Sequence, residues 1–118
     1  VLGVTFKPNT DDMRDSTSLK MIPYLCKQGA TVTYYDPSGE KNHFKNLKKC
    51  KFKRNLKENC LNADLIVLLT EWDEFKSIDF KKLVKKKNFK IYDLRNLYNT
   101  EEMKLNKIKY FSIGRPTN

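Results

Sequence analysis

A chain of 118 residues has room for one domain with a modest core, and its 39% hydrophobic content is too high for a disordered segment despite 32% charged residues. No apolar run approaches the roughly 18 residues that cross a bilayer and no signal-peptide pattern opens the chain, so a single cytoplasmic domain over residues 1–118 with no membrane partner is expected. The formal net charge of +10 comes almost wholly from scattered lysines, denser at 41–57 and 81–90, whereas a nucleic-acid surface would gather arginines and aromatics on one face; no nucleic-acid partner is expected.

Val1-Leu2-Gly3-Val4-Thr5-Phe6 reads as a first core strand, and without an initiator Met the polypeptide is expected to extend further upstream. Pro8 takes Lys7 out of helical geometry and ends that strand in the polar loop 7–14. Asp15 and Ser16 are N-cap candidates for a helix with Leu19, Ile22 and Leu25 on one face, stopped by Gly29 and kinked or started late by Pro23. Thr31–Pro37 is β-branched and aromatic and predicts a second strand. Residues 39–49 are polar and ambiguous, with room for a short helix.

Lys51–Arg54 is an edge-strand candidate, and Leu56–Ala63 predicts a helix with Leu56, Cys60 and Leu61 inward. The unbroken apolar run in Asp64-Leu65-Ile66-Val67-Leu68-Leu69-Thr70 suits a central parallel strand covered on both faces. After a loop at 71–78, Asp79 caps a helix with Phe80, Leu83 and Val84 on one face and Lys81, Lys82, Lys85 and Lys86 solvated. Lys90–Arg95 predicts another strand, Thr100 caps a short helix, and Lys109–Gly114 predicts a last strand near an edge.

Strands alternating with helices predict an α/β fold: a Rossmann-like three-layer sandwich around a mainly parallel sheet of five or six strands. Ligands of such sheets bind beyond the carboxyl ends of the strands. Lys7 and Arg95 reach that rim from different strands, a suitable cradle for a diphosphate. No GxGxxG or GxxxxGK[ST] is present, so phosphate charge would be met by side chains more than by backbone amides. The three cysteines, Cys26, Cys50 and Cys60, make no CxxC, and His43 is the single histidine; reduced thiols and no metal site follow.

The loop Phe6-Lys7-Pro8-Asn9-Thr10-Asp11-Asp12-Met13-Arg14 resembles the signature that opens the C-terminal domain of the UDP-glucose/GDP-mannose dehydrogenase family. Tyr35-Asp36-Pro37, Thr70-Glu71-Trp72-Asp73-Glu74-Phe75, Tyr92-Asp93-Leu94-Arg95-Asn96-Leu97-Tyr98 and Tyr110-Phe111-Ser112-Ile113-Gly114-Arg115 agree in the family's order, so the resemblance covers almost the whole chain. Pro8-Asn9 and the Trp-Asp segment look more like UDP-glucose enzymes than GDP-mannose enzymes. The resemblance implies two NAD-dependent oxidations that turn a sugar C6 alcohol into a carboxylate. It implies an NAD-binding N-terminal domain and a central helical domain with a catalytic Cys, both absent from this chain, in a homo-oligomer.

Carried over by motif, Phe6, Lys7 and Arg95 would contact UDP-glucose or a related UDP-sugar, and Arg14 would reach NAD across the interdomain cleft. UDP-N-acetyl-sugar and GDP-mannose dehydrogenases of the same family are the alternatives. No cysteine here matches the family's nucleophile, so this chain alone is expected to be inactive. Leu94 stands where the family usually has Gly.

Structural alternatives stand beside each role: a solvated Lys7, an Arg95 paired with Asp93 or a neighbouring carboxylate, and an Arg14 paired with Asp11 or Asp12. Asp11 and Asp12 suit loop-ordering hydrogen bonds, Trp72 suits packing at the sheet edge, and Asp36 suits a turn. A receiver-like phospho-signalling domain is the reading from another class. Asp11, Asp12 and Thr70 fit it, but Lys51–Arg54 offers no phosphoacceptor Asp, and Arg95 stands where a receiver uses Lys.

Overall fold

The computed structural model describes residues 1–114. Arg115, the end of the last matching segment, lies outside them. In chain order the elements are α1 (Ser18–Lys27), β1 (Val32–Tyr34), a 3-10 turn (Asn42–Phe44), β2 (Cys50–Phe52) and α2 (Leu56–Cys60). They continue with β3 (Leu65–Leu68), a second 3-10 turn (Asp73–Phe75), α3 (Phe80–Leu83), β4 (Lys90–Asp93), α4 (Thr100–Leu105) and β5 (Lys109–Ser112). Every strand pairing is parallel: β1 with β2, β3 with β4, and β4 with β5.

The predicted first strand is not a regular strand. Leu2 alone bridges Tyr35 on one side and Leu68 on the other. Its amide donates to Val67 O at 2.8 Å and its carbonyl accepts from Leu69 N at 3.0 Å, while Gly3 N donates to Tyr35 O at 2.9 Å. One residue thus joins the two sheets in the order β2, β1, Leu2, β3, β4, β5, with β3 central and β5 at an edge. The ladder stops because Gly3 turns to φ +80°, where a Cβ would sit 2.6 Å from Thr70 Cβ. Beyond it, the Val4 and Thr5 amides donate to the buried Asp36 carboxylate (2.7 and 3.3 Å) in place of a neighbouring strand.

Two apolar clusters fill the layers. Ile22 of α1 packs with Val4, Val32 and Tyr34. On the other side Ile66, Leu68, Ile91 and Tyr110 of the sheet pack against Cys60, Phe80 and Met103 of α2, α3 and α4. Alternation along β4, with Ile91 and Asp93 buried and Lys90 and Tyr92 exposed, points one face at those helices.

Three local expectations change. Helix α1 begins at Ser18, two residues after Ser16, whose hydroxyl donates to Val4 O at 2.5 Å while its oxygen accepts from Ser18 N at 3.2 Å; the Ser18 hydroxyl donates to Val4 O as well, at 2.6 Å. Asn99, not Thr100, caps α4, its side chain accepting from Glu102 N at 3.0 Å. Leu61 is 38% exposed, since α2 ends at Cys60. Asn55 and Asp79 cap α2 and α3 by accepting from Glu58 N and Lys82 N.

Candidate functional site

The carboxyl ends of the strands carry a connected set of polar anchors. Thr70 is fully buried after β3 and donates its hydroxyl to Thr5 O at 2.7 Å. The Thr5 hydroxyl donates to Lys7 O at 3.0 Å and accepts from Trp72 Nε1 at 3.3 Å. Trp72 also packs against the core, as the edge-packing alternative expects. Between Thr70 and Trp72 stands Glu71, whose carboxylate takes Arg95 Nε at 2.9 Å and Nη2 at 3.3 Å. The Lys7 loop and Arg95 are therefore tied to the same short segment, 70–72.

Two buried carboxylates shape the flanking loops. Asp36, 1% exposed, accepts from Val4 N, Thr5 N and the amide and hydroxyl of Ser38 (2.9 and 2.6 Å), so it orders two loops rather than one turn. Asp93, fully buried, accepts from Arg95 N at 3.0 Å, Tyr98 N at 2.9 Å and the Tyr110 hydroxyl at 2.6 Å. Asn96 in that loop adopts φ 55°, a conformation Asn tolerates. Leu94 is not among the positive-φ residues, so the backbone there accepts a side chain where the family has Gly.

The loop that begins at Phe6 closes on itself. Phe6 N donates to Asp12 O at 2.8 Å, Asp12 N to the Thr10 hydroxyl at 3.1 Å, and Asn9 takes φ 63°. Phe6 is 48% exposed at its start and Lys7 is exposed beside it. Among the described residues no carboxylate pairs with Lys7. Arg14 is 89% exposed and forks onto Asp12, Nε to Oδ1 at 3.0 Å and Nη2 to Oδ2 at 2.9 Å. That hydrogen bond holds the Asp12 carboxyl at about 2, well below the usual range. Burial is the largest single influence on the Glu71 carboxyl and raises it, but the Arg95 hydrogen bond, a backbone hydrogen bond and the Arg95 charge together outweigh it, and the net direction is down.

Of the predicted site residues, the structure links Lys7 and Arg95 through 70–72 and sets Phe6 next to Lys7. It engages Arg14 with Asp12, and Arg95 with Glu71 rather than Asp93. Each arginine is already paired with one carboxylate, so an anion that reaches Arg95 must share or displace Glu71. The sequence reading missed Thr5, Asp93 and Glu71 as organisers. A polar residue at the end of an apolar strand, just before a turn, is the signal that marks Asp36, Thr70 and Asp93 alike.

A cavity of about 560 Å³ lies at the opposite, amino end of the sheet, lined by Val1, Thr31, Asn59 and Leu65. Among the described residues, the paired and free cations able to hold an anion lie instead at the rim, where parallel sheets bind ligands. Among the described residues no cluster of His, Cys, Asp or Glu could hold a metal ion, and no helix is long and apolar enough to cross a membrane.

Residues 1–100 match the model of the UDP-glucose/GDP-mannose dehydrogenase family, UDP binding domain. The chain is 44% identical over 119 residues to a UDP-glucose 6-dehydrogenase of Rhizobium meliloti (strain 1021), covering 98% of this chain and 27% of that protein. It is 36% identical over 118 residues to the UDP-glucose 6-dehydrogenase TuaD of Bacillus subtilis (strain 168), covering 98% of this chain and 26% of the relative. Among solved structures, an NDP-N-acetyl-D-galactosaminuronic acid dehydrogenase from Methanosarcina mazei Go1 superposes with a TM-score of 0.82 at 30% identity, over 97% of this chain and 24% of that one. The chain thus spans about a quarter of the length of the relatives it matches.

Proposed function

This chain belongs to the UDP-glucose/GDP-mannose dehydrogenase family, as its UDP-binding domain, and on that premise we propose that the carboxyl-end rim holds the UDP part of a nucleotide sugar. The observation that carries the reading is the tie between Lys7 and Arg95 through Glu71 and its neighbours. Lys7 supplies a mobile point charge, Arg95 a planar fork for a phosphate, and exposed Phe6 a flat apolar surface. The main-chain donors nearby are already spent on Asp36, Asp93 and Asp12 O, so side chains carry the anion.

In this reading residues 1–118 are one domain of a longer polypeptide that oxidises UDP-glucose to UDP-glucuronate with two NAD, in the cytoplasm and as a homo-oligomer. The relatives named UDP-glucose 6-dehydrogenase support that choice of sugar. Arg14 would turn from Asp12 toward NAD held by another domain. NAD supplies the hydride acceptor there. In this chain Asp12 holds Arg14 at the loop's outer side until that contact forms.

Ligand-titration NMR with UDP tests the cradle. Arg95→Ala and Lys7→Ala should each weaken binding by roughly 1.5–3 kcal/mol, about tenfold to hundredfold. Lys85→Ala, on an exposed residue after α3, should bind UDP as the parent does. Equal affinity in all three variants would remove the cradle.

A further inference from the structure

The helices α2, α3 and α4 all cover one face of the β3–β4–β5 sheet. On the opposite face the register aligns Leu65, Lys90 and Lys109 in one row and Val67, Tyr92 and Phe111 in the next. Leu65 and Tyr92 are each 41% exposed, Ile113 is 55% exposed, and the Tyr92 and Phe111 rings lie 4.8 Å apart. Val67, on the β3 side of this face, is buried, so the exposed part is the β4–β5 side that carries Tyr92, Lys90 and Lys109, with Leu65 at its lower end. A parallel sheet is ordinarily covered on both sides, and an apolar patch of this kind marks a contact surface.

The charges say what covers it. Lys90 and Lys109 are directly paired across the strands, both exposed, and among the described residues neither meets a carboxylate. Like charges set opposite each other destabilise a sheet unless a counter-charge arrives from outside. We propose that this face docks an amphipathic segment from the remainder of the same polypeptide, its apolar stripe on Tyr92 and Phe111 and its carboxylates on Lys90 and Lys109. The proposal rests on the reading that the chain is one domain of a longer enzyme, and the relatives, nearly four times as long, have the length to supply such a segment. A second copy of this chain is a poor occupant, because it brings the same lysines and a net charge of +10. Stacked rings beside lysines also suit single-stranded nucleic acid, but that occupant would leave the apolar Leu65 and Ile113 wet.

Hydroxyl-radical footprinting of the complete polypeptide that carries this chain, set beside the 118-residue chain, tests the docking. Labelling of Tyr92 and Phe111 should be strong in the short chain and lost in the complete one. Lys90→Glu with Lys109→Glu, both exposed and harmless to the core, should restore it in the complete polypeptide. Equal labelling in both, or protection indifferent to the double charge reversal, would overturn the proposal. So would a dimer of the short chain in sedimentation that Tyr92→Ser dissolves, or oligouridylate binding that Tyr92→Ser abolishes. UDP titration is a separate readout: a failed cradle leaves the footprint standing, and a failed footprint leaves UDP binding at the rim untouched.

Discussion

Arg95 reaches the rim already paired, and its partner sets the direction of a test. Glu71 occupies Nε and Nη2 of the guanidinium, at 39% and 30% side-chain exposure for Arg95 and Glu71. If a diphosphate uses the same cation, the carboxylate competes with it. Glu71→Gln removes the competing charge while keeping an acceptor for Arg95, so UDP binding should tighten by up to about 1 kcal/mol, the scale of a part-exposed ion pair. Weaker UDP binding in the variant would make Glu71 a support for Arg95 rather than a rival. The depressed Glu71 carboxyl adds a pH dependence. A group lowered on folding contributes stability above its unfolded pKa and loses it as pH falls through the folded one. The pair therefore supports the fold at neutral pH and lets go only in acid below the ordinary glutamate range.

At the scale of elements, the opening segment depends on one glycine. Gly3 combines φ +80° with a Cβ position 2.6 Å from Thr70 Cβ and 2.8 Å from Thr70 O. Gly3→Ala should cost roughly 2 kcal/mol or more, from left-handed strain plus overpacking, and should lower the thermal midpoint without changing the far-UV spectrum of what stays folded. An unchanged midpoint would mean that the segment moves freely against Thr70. Pro23 predicts the opposite sign. It sits inside α1 without an amide for Leu19 O, so Pro23→Ala should stabilise the chain by about 1–2 kcal/mol after the unfolded-state entropy is set against the regained bond; a lower thermal midpoint would refute this.

The apolar run of β3 and the segment of β4 are local patterns, and both were legible in sequence as strands, the first as central; that β4 is covered on one face only emerged with the fold. The end of the first segment was not legible, because Gly3 stops pairing through contact with Thr70 and Asp36 captures the amides that follow. Both partners lie more than thirty residues away. The helix start depends on a non-local contact as well: the Ser16 and Ser18 hydroxyls both donate to Val4 O, twelve and fourteen residues back. At the site, Lys7 and Arg95 could be placed on one rim from strand order, whereas Glu71 could be assigned to Arg95 only once the loops after β3 and β4 stood side by side.

For the whole molecule, the arrangement of thiols and loops predicts that the isolated chain forms no NADH from UDP-glucose and NAD. Hydride transfer to NAD needs the dinucleotide held close, and the usual device is a glycine-rich loop that offers its amides to the pyrophosphate. Here the first loop carries Lys7, Pro8, Asp11 and Asp12, and its Phe6 amide is spent on Asp12 O at 2.8 Å. The second oxidation in the family's scheme needs a thiolate nucleophile. Burial pushes the Cys50 and Cys60 thiols up to about 11, and it raises Cys26 as well. A thiol-reactive disulfide reagent near neutral pH should therefore label the half-buried Cys26 first and reach Cys50 and Cys60 only after unfolding. In the same preparation, absorbance should show no NADH over many hours, while UDP still perturbs the NMR signals of Lys7 and Arg95. Sustained NADH formation by the pure chain that pre-treatment with the thiol reagent abolishes would place a working nucleophile among these three cysteines, and the division of labour argued for this domain would fail.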